Sequence, residues 1–178
     1  MTPISAELGS RKKSASSSRC FSATEFGGDA QFERARFREA QFREARFDGR
    51  AWFGEARFSE EARFDRARFA GYARFGLARF LNNAAFDGAQ FLENIGFQGT
   101  RFGGHAWFHG ARFERESRLG PLVCAGSLDL SAVVFAAPAV IEAAARKVWC
   151  VRTRWEATAV LRLRYATVDL GESVLTHP

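Results

Sequence analysis

Along the first two thirds of the chain a single apolar position recurs at short range, with eighteen phenylalanines between Phe21 and Phe113. From Phe42 onward the intervals alternate between five and six residues, through Phe47, Phe53, Phe58, Phe64, Phe69, Phe75, Phe80, Phe86, Phe91, Phe97, Phe102, Phe108 and Phe113. The unit is Ala-x-Phe-x-x with one extra residue in alternate units, as in ARFDGR, AWFGE, ARFSEE and ARFDR. Self-similarity at so short a period predicts stacked modules, each burying its apolar side against its neighbours.

An eleven-residue double unit fits a helix of about 3.67 residues per turn. Two observations oppose a helix. Phe residues five apart would point about 140° apart on one helix, and Gly49, Gly54, Gly71, Gly76, Gly88, Gly99, Gly103, Gly104 and Gly110 interrupt the interior. In an extended segment, Ala35 and Phe37, or Ala56 and Phe58, lie two apart and share one side. The residue between them, such as Gln41, Arg46, Arg57, Arg68 or Arg79 in its own unit, turns to solvent. The remaining two or three residues make a corner.

On these units the chain resembles the pentapeptide-repeat family, whose repeat is a small residue, any residue, Leu or Phe, and two more. The matching small positions include Ala35, Ala40, Ala45, Ala51, Ala56, Ala62, Ala67, Ala73, Ala78, Ala84, Ala89, Ala106 and Ala111, with Ile95 and Thr100 replacing Ala at two others. The resemblance implies an all-β fold, a right-handed quadrilateral β-helix in which four units close one coil. Alternating five- and six-residue units depart from the family's strict period and lengthen the coil to 22 residues. Four interior ladders are then expected: Phe42, Phe64, Phe86, Phe108; Phe47, Phe69, Phe91, Phe113; Phe53, Phe75, Phe97; and Phe58, Phe80, Phe102. The extra residues must bulge at two opposite corners of every coil.

Length places the 178 residues in about one domain. Three regions differ in pattern. Residues 1–19, rich in Ser and carrying Arg11, Lys12 and Lys13, read as a polar N-terminal arm. Residues 20–118 form the repeat. Residues 119–178, where Leu, Val and Ala replace Phe in SAVVF, KVWCVRTRW and AVLRLRYATVDL, read as an irregular β-helical continuation, cap or dimerisation segment. Val133, Val134, Trp149, Trp155, Leu161, Leu163 and Tyr165 make it the candidate surface for a homodimer. The three cysteines, Cys20, Cys124 and Cys150, are too few and too scattered for a disulfide framework. With no secretory n-region ahead of a long apolar run, the expected compartment is the reducing cytoplasm. No apolar stretch reaches the length of a membrane span; Ala132–Ala145 is short and interrupted by Pro138 and Glu142.

Function is expected on the outside. The 22-residue register aligns Arg57, Arg79 and Arg101 in one outward column and Arg46, Arg68, Gln90 and Arg112 in another. Aligned arginines suit phosphate or an acidic protein surface. Glu39, Glu44, Glu55, Glu60, Glu61 and Asp65 can instead turn the same surface into an alternating solvated lattice. Trp52 and Trp107, each just before a ladder Phe, are the candidate aromatic anchors for a partner. Some members of the family mimic duplex DNA and bind type II topoisomerases, which implies a strongly acidic exterior. The formal charge here is +6, with sixteen Arg against fourteen Asp plus Glu between residues 20 and 118. Nucleic-acid binding has the right sign of charge but lacks a recognised reading motif.

Catalytic chemistry finds little purchase. His105 and His109 lack a completing Cys or acid and do not form a helical metal pair, and Gly103-Gly104 has no phosphate-loop ending. His177 is isolated. Cys150, near Arg152 and Arg154, invites a lowered thiol pKa, but its place between Trp149 and Val151 fits an apolar structural role better. Asp129, Glu142, Glu156 and Asp169 have no catalytic spacing. The sequence thus predicts a protein with no catalytic residues, metal or cofactor: a β-helical scaffold for an unidentified protein partner, with a nucleic-acid-associated or topoisomerase-directed binder as the alternative.

Overall fold

Residues 19–176 are described by a computed structural model of the chain. The arm residues 1–18 and His177 lie outside them. All strand pairings are parallel, and each strand pairs with the strands one coil before and one coil after it. Hydrogen bonds thus run along the solenoid axis, with coils about 4.8 Å apart.

Four faces make one coil. The first face stacks eight strands from Arg19–Cys20 to Thr167–Asp169, and the second stacks eight from Glu25–Phe26 to Val174–Leu175. The third contains Ala30–Gln31, Ala51–Trp52, Ala73–Arg74 and Ile95–Gly96; the fourth contains Arg36–Phe37, Arg57–Phe58, Arg79–Phe80 and Arg101–Phe102. Alternation decides what goes in. In most units the small residue and Phe are buried while the residue between them faces out, Ala85 and Gly96 being buried exceptions.

Corners come in two kinds. At the tight corners, two residues join Phe to the next Ala, and the Phe carbonyl accepts the Ala N–H three residues on, as in Phe42/Ala45 (3.2 Å), Phe53/Ala56 (3.1 Å) and Phe75/Ala78 (3.0 Å). Their second residue has positive φ, for example Glu44 (58°), Glu55 (56°), Arg66 (54°) and Leu77 (60°), as a type II turn requires. The wide corners contain three residues, such as Asp48-Gly49-Arg50 and Ser59-Glu60-Glu61, and lie opposite one another. Two tight and two wide corners set the 22-residue coil seen in Arg68↔Gln90 and Arg79↔Arg101. The first coil is shorter: Arg36 pairs with Arg57 but Ala40 with Ala62, because only Arg38 and Glu39 form that wide corner.

The expected ladders form. Phe42, Phe64, Phe86 and Phe108 stack with centroids 4.8–4.9 Å apart and planes within 4° of parallel. Between ladders the rings meet edge to face, as Phe75 does with Phe64 (5.4 Å, 88°) and Phe86 (5.4 Å, 90°). Both arrangements place ring edges and faces favourably. Thr100, at a small position, is fully buried and satisfied, its Oγ1 donating to the Phe75 carbonyl at 2.7 Å.

Beyond Leu119 the solenoid is more regular than the sequence indicates. The third and fourth faces both run into one strand, Ser117–Cys124, followed one coil each later by Ala139–Ala144 and Ala159–Arg164. The tight corner between them disappears, and the cross-section passes from four sides to three. Pairing steps from 22 residues at Leu119↔Ile141 to 21 at Leu122↔Ala143 and 20 at Leu128↔Val148. The first step falls at Gly120, whose φ is 122° and where an added Cβ would lie 1.9 Å from the Glu142 carbonyl oxygen. The narrower section accounts for the change of core residue. Phe108 is succeeded up its ladder by Leu130 and Cys150, and Phe97 by Leu119 and Ile141, all buried. Only the second face keeps aromatics, with Phe113, Phe135 and Trp155 stacked at 4.9 and 4.6 Å.

Phe75→Ala removes a ring stacked on Phe53 and Phe97 at 4.9 and 5.0 Å, and should destabilise the fold by about 3–5 kcal/mol in denaturant unfolding; a loss under about 1 kcal/mol would contradict a close-packed aromatic core. Gly110 has φ 66°, and an added Cβ there meets nothing within 4 Å. Gly110→Ala therefore isolates the backbone term and should cost about 1 kcal/mol.

Candidate interaction faces

Each outward column continues from coil to coil, so charge on this surface is organised along the axis. Most pairs join residues one coil apart or two positions apart on one strand. Arg34 meets Glu55 at 3.1 Å, Arg38 meets Glu60 at 2.8 Å, and Arg66 meets Glu44 at 3.1 Å. Arg63 reaches Glu61 at 3.2 Å, and Arg112 is held by Glu114. These are exposed or half-exposed surface pairs worth about 0–1 kcal/mol each. Their greater effect is to neutralise the columns that contain them.

The fourth face is different. Arg36, Arg57, Arg79 and Arg101 stand in register in successive coils, all exposed. None of the four pairs with an acid among the described residues, whereas the nearby Glu55, Glu60 and Glu33 are taken by Arg34, Arg38 and Arg74. A surface groove of about 620 Å³ runs along this column and includes all four arginines. Arg57, Arg79 and Arg101 thus align as their spacing predicts. Arg36 escapes a 22-residue count because the first coil has 21, and the interval Phe37 to Phe42 is the signal that reveals it.

The second-face column contains Glu25, Arg46, Arg68, Gln90, Arg112, Val134 and Arg154 in register. It is interrupted by Gln90 and Val134, and Arg112 and Arg154 are partnered by Glu114 and Glu156. Arg46, Arg68 and Arg112 therefore share a face without forming an unbroken positive run.

The two tryptophans lie on different faces. Trp52, on the third, is half-buried against Tyr72 (6.0 Å, 72°), and its Nε1–H is buried without a hydrogen-bond partner. Trp107, on the first, is half-buried and stacks on His105 (5.8 Å, 6°). Lys147 sits 3.3 Å above the Trp149 ring, two coils on along the same column.

His105 and His109 occupy separate corners. The Nδ1 of His105 lies 2.7 Å from the Ser127 hydroxyl, while the backbone N–H of His109 donates to Asp87. Asp87 is held above its usual carboxylate range, chiefly by burial. The groove beside it, about 540 Å³, is internally neutralised by Arg43 with Asp65 and Arg66 with Glu44. Asp129 and Asp169 accept N–H groups from Ser131 and Gly171, and neither meets Glu142 or Glu156. No group of three or more His, Cys, Asp or Glu that could hold a metal occurs among the described residues. No helix there is long and apolar enough to cross a membrane.

The thiols divide by burial. Cys20 is exposed, and hydrogen bonding from Ser22 pulls it below its ordinary value. Burial raises Cys124 and pushes Cys150 up to about 12, with Asp129 and Asp169 adding to the effect. Arg152 and Arg154 lie exposed and do not activate Cys150. In the native protein only Cys20 should react readily with a thiol reagent, with Cys124 and Cys150 appearing on unfolding. Because Cys150 ionises more readily in the unfolded chain, its contribution is intact below about pH 9 and is lost as pH rises toward about 12. Cys150→Ala should flatten that alkaline fall in denaturant titrations; an unchanged slope would show that the thiol is not the group responsible.

A family model described as pentapeptide repeats (9 copies) matches the chain over residues 21–68, 32–78 and 75–120. No curated protein matches it.

Proposed function

The chain belongs to the pentapeptide-repeat family, and from that premise we propose that it is a non-enzymatic scaffold which presents its lateral faces to a protein partner and pairs with a second copy through its C-terminal coil. The observation carrying this reading is the exposure of the last coil among the described residues. Leu170 and Leu175 occupy ladder positions yet are 52% and 61% exposed, whereas Cys150 and Trp155 one coil earlier are 0% and 5% exposed. Above Ala159–Arg164 no further strand among the described residues takes up the backbone groups of the edge.

A second copy suits this edge. A two-fold axis perpendicular to the solenoid sets the two Ala159–Arg164 strands antiparallel. A register centred on Leu161 places each Arg162 opposite a Val160 and avoids like-charge contact. In this division, residues 20–118 carry the partner faces and the segment from residue 119 onward serves association, while the N-terminal segment 1–18 lies outside the described residues. Three unbridged thiols support a cytoplasmic setting.

The unbroken arginine column favours a second reading, association with nucleic acid. Topoisomerase binding by duplex mimicry receives less support, since none of the four outward columns carries two acids in succession.

Light scattering coupled to size exclusion should give twice the chain mass. Leu161→Glu and Leu175→Glu should each weaken the dimer by at least about tenfold while leaving the circular dichroism unchanged. A monomeric mass at every concentration would remove the association half of the proposal.

A further inference from the structure

The four arginines of the fourth face, at about 4.8 Å per coil, span about 14 Å along the axis. The charge around them is one-sided. Acids flank only the lower half, and each is engaged: Glu33 by Arg74, Glu39 by Gln41, Glu55 by Arg34, Glu60 by Arg38 and Glu61 by Arg63. Around Arg79 and Arg101 the two flanking corners, Gly76-Leu77 with Leu81-Asn82-Asn83 and Gln98-Gly99 with Gly103-Gly104-His105, contain no acid.

A second, independent feature coincides with this column. Among the described residues below the final coil, the exposed large hydrophobic side chains are Leu77, Leu81 and Val123, at 56%, 41% and 49% exposure. All three border the arginines: Leu77 and Leu81 flank Arg79 on either side, and Val123 continues the column directly above Arg101. Apolar side chains beside unpaired guanidinium groups offer a partner both apolar surface to bury and forked donors for its acids.

The geometry points to this face as the docking site for a carboxylate-rich protein segment with apolar side chains interleaved among its acids. This deepens the scaffold reading and rests on it. Guanidinium forks take carboxylates bidentately, and the aliphatic residues bury the partner's apolar side chains. In an extended segment about five residues cover the column, presenting alternate side chains to it. A polynucleotide fits less well. Sequence-tolerant strand binding uses aromatic platforms, and no Phe, Tyr or Trp faces outward beside Arg36, Arg57, Arg79 and Arg101 or in the corners flanking them. Phosphate gains nothing from covering Leu77 and Leu81.

The test is selection of a displayed random-peptide library on the intact chain, with oligothymidylate and a random-sequence DNA duplex titrated in parallel. Two variants accompany it: Arg79→Ala with Arg101→Ala, and Leu77→Asn with Leu81→Ser, Asn being chosen because residue 77 has positive φ. Circular dichroism confirms that both fold. Selected peptides should be rich in Asp and Glu with interleaved Leu, Ile, Val or Phe. They should lose at least about tenfold in affinity on the arginine variant and severalfold on the leucine variant. Enrichment without acidic bias, or binding indifferent to the arginine variant, overturns this site while leaving a scaffold that binds elsewhere. DNA bound more tightly than the selected peptides and unaffected by the leucine variant overturns it in favour of a polynucleotide. Failure to enrich any peptide overturns both this site and the partner-binding half of the scaffold reading.

Discussion

Stacking like on like along the axis is the constraint from which the rest of this structure follows. A parallel coil places every side chain directly above its counterpart, about 4.8 Å away. An inward position must therefore fit a column whose cross-section its neighbours have already set. Phenylalanine meets that demand because flat rings lie parallel within a ladder and present edges to the next. Alanine two residues earlier is the complement, small enough for the inside of a corner. Surface order is a consequence: once the interior is in register, every outward residue is in register as well.

That dependence explains why parts of the structure could be read from sequence. The five-and-six alternation specifies a 22-residue coil, and with it the four ladders and the alignment of Arg57, Arg79 and Arg101. A large aromatic in a unique role is an unambiguous ruler. Past Leu119 the ruler is lost, since Leu, Val, Ala and Cys occupy both buried and exposed positions: Leu122 is buried while Val123 beside it is half exposed. The loss of one corner at Gly120 is a backbone event that leaves no repeat to count. The unpaired state of the fourth-face column was equally hidden, because it depends on which arginine each glutamate selects. Trp52 and Trp107 face outward as their spacing indicates, but their half-buried packing against Tyr72 and His105 depends on corner residues outside the repeat pattern.

The lattice of ion pairs has a similar logic. Pairs such as Arg34 with Glu55 join consecutive coils, so charges of opposite sign one coil apart cancel in place. Four arginines in succession cannot cancel in this way. Like charges at that spacing repel, and this is the longest unbroken run of arginines in the four outward columns. The buried thiols show the reverse case: a group kept neutral by an interior that offers no compensating charge.

The change from 22 to 20 residues per coil divides the solenoid into two stretches of different pitch in sequence but common rise in space. Duplicating any 22-residue segment of the four-sided stretch beyond Ala40 adds one rung and leaves every ladder in phase. A 20-residue duplication does the same in the three-sided stretch. A segment moved across Gly120 would fall out of phase on every face at once. Rod length can therefore grow by internal duplication on either side of the junction, while the junction itself can be neither repeated nor shifted.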